Sequence, residues 1–203
     1  MIMELTTKQT DALKEMVNIG VGRGIEVLNT MLESHICLSV PFVNVLSKEN
    51  LSDGLDWTKG EQLSTVTLPF KGNFNGTSEL IFPSEGASKL ITSLTGEESL
   101  DGGIDSLQAG TLCEVGNIVL NAVMGSVSNL LELQLDYTVP GFLQGGVDSL
   151  LPSIDFNSSP VILLAKTSFT IDKLEIDGGI ALFLESDSFD KLIDVLDSLG
   201  PQE

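Results

Sequence analysis

Two short clusters combine residue types and spacing suited to chemistry: Glu15 with Asn18, and Glu114 with Asn117. Residues three apart on a helix are neighbours on one face, so each pair sets a carboxylate beside an amide. The amide is both donor and acceptor and does not titrate, so it orients a water by hydrogen bonding. The carboxylate offers a negative charge that pairs with a docked partner's lysine or assists water activation. Phosphoryl transfer to water depends largely on placing the nucleophile in line and stabilising spreading charge. Two side chains suffice for that if a partner protein supplies the phosphate and its metal. A lone Glu-x-x-Asn is commonplace, and its plain alternative is a solvated helix face. Here the motif occurs twice, each time followed by 22 residues and then a proline, Pro41 or Pro140.

The composition removes several other functions. A formal net charge of −19 in 203 residues opposes nucleic acid, whose phosphates are bound by Lys and Arg releasing counterions. It equally opposes an anionic membrane surface. The N-terminus MIMELTTKQT has neither the basic nor the apolar region of a secretory signal, and no run of 18 apolar residues occurs. A cytoplasmic chain without membrane insertion is expected. Cys37 and Cys113 sit among apolar neighbours and are predicted to be buried thiols in a reducing compartment. His35 is the sole histidine, so neither a His-rich metal site nor a Ser-His-Asp triad is expected in its conventional form. A small-molecule hydrolase is unsupported, because no nucleophile–base set or phosphate loop is recognisable.

The elements that must position the motifs are themselves repeated. Glu15, Asn18, Ile19 and Pro41 match Glu114, Asn117, Ile118 and Pro140 at one offset of 99 residues. Later, ELIFPSEGASKLITSL from Glu79 matches ALFLESDSFDKLIDVL from Ala181 at an offset of 102. The chain therefore reads as one domain, 1–203, made of two repeats, about 1–100 and 101–203. Each repeat is predicted to run long helix, strands, short helix. The first long helix is expected over about 7–33, capped by Thr6 or Thr7. Asp11, Glu15, Asn18, Gly22, Glu26, Asn29 and Glu33 form its polar stripe. Leu13, Met16, Val17, Gly20, Gly24, Val27, Leu28 and Met31 form its core side. The second, about 106–133, carries Gly110, Glu114, Asn117, Asn121, Ser128 and Glu132 on a narrower polar face and is expected to be the more buried.

Strands are predicted after Pro41 (Val43, Val45), over Ser64–Phe70 and Thr77–Phe82, and as short segments at Val161–Ala165 and Ile180–Leu184. Lys71–Gly76 reads as a turn. Ala87, Leu90, Ile91 and Leu94 mark a short helix closed by Gly96. A last helix is expected from Ser186 or Asp187 to Gly200-Pro201, and Gly141–Pro160 reads as a mobile surface loop.

With these motifs the sequence resembles the CheC/CheX/FliY family of chemotaxis phosphatases, whose pattern is Asp/Ser-x-x-x-Glu-x-x-Asn with a proline about 22 residues on. The resemblance covers both halves. Asp11, Glu15, Asn18 and Pro41 match fully; the second copy matches at Glu114, Asn117 and Pro140 but has Gly110 in the first position. Two motifs are more similar to the two-site CheC pattern than to single-motif CheX. The resemblance implies an α/β (α+β) duplication with pseudo-two-fold symmetry, its shared, mostly antiparallel sheet flanked by long and short helices. It implies hydrolysis of the phospho-aspartate of a CheY-like response regulator, Asn18 and Asn117 positioning the water and Glu15 and Glu114 engaging the regulator's lysine. Magnesium would belong to the regulator, with no cofactor of the chain's own, and CheD is a further partner the family allows. Gly110 places the first site ahead of the second in expected strength. The alternative is a non-enzymatic adaptor for response regulators or the flagellar switch. A FliY-type switch protein would bring a further C-terminal domain, so the expectation is a free-standing phosphatase.

Overall fold

Both long helices begin on the same device. Thr6 Oγ1 accepts from the Gln9 N–H at 3.3 Å, and Gln9 Oε1 accepts from the Thr6 N–H at 2.8 Å, opening α1 (Thr7–Leu32). Asp105 accepts from the Gln108 N–H at 2.8 Å and its own N–H donates to Gln108 Oε1 at 3.1 Å, opening the second long helix. Each reciprocal pair satisfies amide groups that the first helical turn leaves without partners. The two boxes are 99 residues apart, the motif offset.

The computed structural model describes residues 5–32, 35–46, 62–96, 104–147, 161–171 and 174–198. In chain order, α1 is followed by β1 (Ile36–Leu46), β2 (Leu63–Gly72), β3 (Gly76–Pro83) and α2 (Ser84–Thr95). Then come α3 (Ser106–Leu130), β4 (Leu135–Tyr137), β5 (Gly141–Gly145), β6 (Val161–Ile171), β7 (Leu174–Leu184) and α4 (Ser186–Ser198). The strands form one seven-stranded antiparallel sheet in the order β1-β6-β7-β3-β2-β4, with β5 also on β2. Matching β1 with β4/β5, β2 with β6 and β3 with β7 makes this order read the same from either edge. At its centre Glu79 of β3 pairs with Ala181 of β7, residues related by the 102-residue offset. Such reciprocity is expected where two related halves share a sheet.

The four helices among the described residues pack on one face of the sheet. Leu13, Met16, Val119, Leu120, Leu90 and Phe189 meet Val66, Phe70, Leu80 and Phe82 in the main core. The opposite face carries a smaller cluster of Leu63, Ile81, Ile162, Leu164, Ala181 and Phe183. α3 is long and apolar enough to cross a membrane by length and composition, but half of that stretch is buried inside the fold. It buries more of its length than α1, as its narrower polar face requires.

Several expectations need correction. β1 does not wait for Pro41 but runs through it from Ile36; the register shifts between Ser39 and Phe42, and β1 is an edge strand, where a missing N–H costs least. β6 and β7 are eleven residues each rather than short, because Thr167, Ser168 and Thr170 keep their ladder pairs whatever their polarity. Gly141–Gly145 is strand β5 on β2, not loop, since β2 offers Leu63–Thr67 an open edge; 148–160 lie outside the described residues. α3 stops at Leu130, with Glu132 at φ 52°. Cys37 is exposed, because β1 is an edge strand and alternates its faces, and Cys113, on α3, is half-buried. Val27 is 47% exposed, and Val21 and Ile25 take its expected place in the core. Ser128 is buried off the polar stripe, its hydroxyl 2.8 Å from the Met124 carbonyl and 3.2 Å from the Tyr137 hydroxyl. Thr6, α2 and its left-handed cap at Gly96 (φ 74°) stand where expected. The proposed stop at Gly200-Pro201 lies outside the described residues.

Candidate functional site

The motifs are carried by α1 and α3, which cross at contact distance through small residues. A Cβ on Gly20 would lie 2.4 Å from the Val123 Cα, and one on Gly24 would lie 3.2 Å from the Val119 Cα. The order of these contacts makes the helices antiparallel, with Gly22 and Asn121 at the midpoint. Gly20 corresponds to Val119 and Gly24 to Val123 at the 99-residue offset, so the crossing is reciprocal as well.

Asn18 and Asn117 each lie four residues N-terminal of that midpoint. At 1.5 Å rise per residue and 8–10 Å between axes, their backbones are about 15 Å apart. Glu15 and Glu114 are exposed, and Asn18 and Asn117 are half-buried one turn further on. Each motif thus offers a solvent-facing carboxylate and a partly sheltered amide. Asp11 is exposed beside Glu15. Gly110 is exposed, and a Cβ there meets nothing within 4 Å, which excludes close packing as its reason. Pro41 sits at the irregularity within β1, while Pro140 is half-buried directly before β5, so the two prolines do not take equivalent places in the sheet.

The stripe is not uniformly a free surface. Asn29 Nδ2 donates to the Ile36 carbonyl at 3.0 Å and its Oδ1 accepts from the Ile36 N–H at 2.6 Å. That residue ties α1 to β1. Beside the first motif, Arg23 Nη1 donates to Ser126 Oγ across the crossing at 3.2 Å. In the second motif, Asn121 Nδ2 donates to the Asn117 carbonyl at 2.8 Å and to Asn117 Oδ1 at 2.6 Å. The polar stripe placed Asn121 on the right face, yet spacing alone did not single it out.

Cys113, next to Glu114, has its thiol pKa pushed above the ordinary range by burial and then by the Glu114 charge. It is a poor nucleophile there, since the thiolate is the reactive form. No cluster of three or more metal-ligating side chains occurs among the described residues.

No family model matches the chain. It is 30% identical over 139 residues to the CheY-P phosphatase CheC of Bacillus subtilis, an alignment covering 66% of this chain and 65% of CheC. The chain is thus a homologue of CheC and resembles the CheC/CheX/FliY family. Within that family, the flagellar motor switch phosphatase FliY of Bacillus subtilis is 20% identical over 139 residues, 68% of this chain and 36% of that protein. The chain thus spans just under two thirds of the first relative and about a third of the second. The fold matches Thermotoga maritima FliY with a TM-score of 0.76 at 17% identity, over 97% of this chain and 99% of that one. It also matches a chain of the CheX-CheY-BeF3-Mg complex of Borrelia burgdorferi with a TM-score of 0.51 at 21% identity, over 85% and 99%.

Proposed function

We propose that this protein is a cytoplasmic phosphatase that hydrolyses the phospho-aspartate of a CheY-like response regulator. The observation that supports it most is the exposed Glu and half-buried Asn, presented twice on antiparallel helices by a relative of a CheY-P phosphatase. In this reading the regulator docks on the α1/α3 face, and Glu15 or Glu114 pairs with its lysine. Asn18 or Asn117 then hydrogen-bonds the water in line with the phosphorus. Water oxygen forms the new P–O bond, the bond from phosphorus to the aspartyl oxygen breaks, and phosphate and a free carboxylate leave. The regulator holds the magnesium that neutralises charge on the phosphoryl oxygens. The chain supplies position rather than a covalent intermediate, and a misplaced nucleophile costs on the order of a hundredfold.

Phosphate release from a phosphorylated CheY-type regulator, with and without the protein, tests the activity. Acceleration is expected, and Asn18→Ala with Asn117→Ala should abolish it while the far-ultraviolet spectrum stays native. Wild-type turnover by the folded double variant would refute the water-positioning role. Binding without acceleration by the parent protein would make it a docking module instead.

A further inference from the structure

We infer that Asn121 is a positioning residue that holds Asn117 in one amide orientation, and that Gly22 leaves Asn18 without this support. The inference rests on the water-positioning role proposed for the two asparagines. Gly22 and Asn121 correspond at the 99-residue offset, four residues beyond Asn18 and Asn117, so each lies one turn further along the same face. The halves differ here in substance. Asn121 Nδ2 reaches both the carbonyl and Oδ1 of Asn117, at 2.8 and 2.6 Å, which occupies its two hydrogens. At Gly22 there is no side chain, and the Asn18 amide has no hydrogen-bond partner among the described residues.

A terminal amide is a broad, two-fold rotor, and turning it over exchanges an acceptor for a donor. With Oδ1 held by Asn121, one lone pair is committed. The Asn117 Nδ2 hydrogens and the second Oδ1 lone pair remain for a water. The bond therefore selects which polar atom faces the docked partner and removes the reversed orientation before the partner arrives. Asn18 must select its orientation after docking. Gly110 weakens the second site at the position before Glu114; Asn121 acts in the opposite sense at the position after Asn117.

The test uses single-site proteins acting on the phosphorylated regulator, with kcat and KM measured separately. In an Asn18→Ala background, which leaves the second site, Asn121→Ala and the isosteric Asn121→Asp should each lower kcat roughly three- to tenfold. KM should hardly change, because neither variant removes Glu114. In an Asn117→Ala background, Gly22→Asn should raise kcat by a similar factor. A Cβ at Gly22 meets nothing within 4 Å, so the new side chain has room. A merely structural role for Asn121 predicts no gain at the first site. Unchanged kcat in both Asn121 variants, or no gain from Gly22→Asn, would overturn the inference while Asn117 stays essential. Full activity of the Asn18→Ala, Asn117→Ala protein would instead remove the water-positioning reading itself.

Discussion

Alanine at Gly20 and alanine at Gly22 should change stability in opposite directions, although both replace a glycine in the same helix turn. At Gly20 the added Cβ would stand 2.4 Å from the Val123 Cα and 3.0 Å from the Ala122 carbonyl oxygen. Carbon atoms pack at about 3.5–4.0 Å, so α1 and α3 must part by roughly 1 Å. The obstacle is backbone, and no rotamer change relieves it. Overpacking of this kind costs about 1–3 kcal/mol, offset by up to about 1 kcal/mol from alanine's better helix propensity. The net expectation is a loss of about 1–2 kcal/mol. At Gly22 the Cβ enters open space, so only propensity acts, and a gain of about 0.5–1 kcal/mol is expected. For a chain of this size 1 kcal/mol moves Tm by about 2–4 °C, so the two variants should melt roughly 3–12 °C apart. Thermal unfolding followed by circular dichroism reads that gap. Equal melting temperatures, or a less stable Gly22 variant, would refute the close crossing on which the two-motif surface is built.

Two further perturbations address the sheet centre and the second motif. Glu79 is fully buried in β3, its carboxyl oxygens lack hydrogen-bond partners among the described residues, and burial raises its pKa well above 4.5. Its neutral form favours the fold below that ordinary value, and this contribution is lost as pH rises through the raised folded pKa. Glu79→Gln should therefore melt higher than the parent at neutral pH, with the difference shrinking as pH falls towards about 4.5; a pH-independent difference would contradict burial as the cause. Gly110→Asp extends the second polar stripe into open space in the second turn of α3, where replacing glycine gains roughly a few tenths of a kcal/mol in helix propensity. In an Asn18→Ala background it should raise both Tm and phosphate release, and unchanged release would detach Gly110 from the ranking of the sites.

What the sequence by itself determined is local. The starts of α1 and α3 follow from Thr6, Gln9, Asp105 and Gln108, all within one turn of the bonds they make. The end of α2 follows from a glycine tolerant of positive φ, and the motif faces follow from helical spacing. Tertiary structure decided what depends on distant partners. Whether Cys37 is buried depends on β1 being an edge strand, and only the long-range register with β6 makes it one. Gly141–Gly145 has loop-like composition and becomes a strand because β2, some 75 residues earlier, leaves an edge open. Val27 has a core residue's chemistry and faces solvent, because the angle at which α1 meets α3 and the sheet selects Val21 and Ile25 instead. Helical spacing puts Gly20 on the core side and Gly22 on the polar stripe, but only the crossing brings Gly20 against the α3 backbone and leaves Gly22 in open space. Hydrogen bonds within a turn are encoded beside the residues that make them, whereas packing and edge status belong to pairs the chain brings together only when folded.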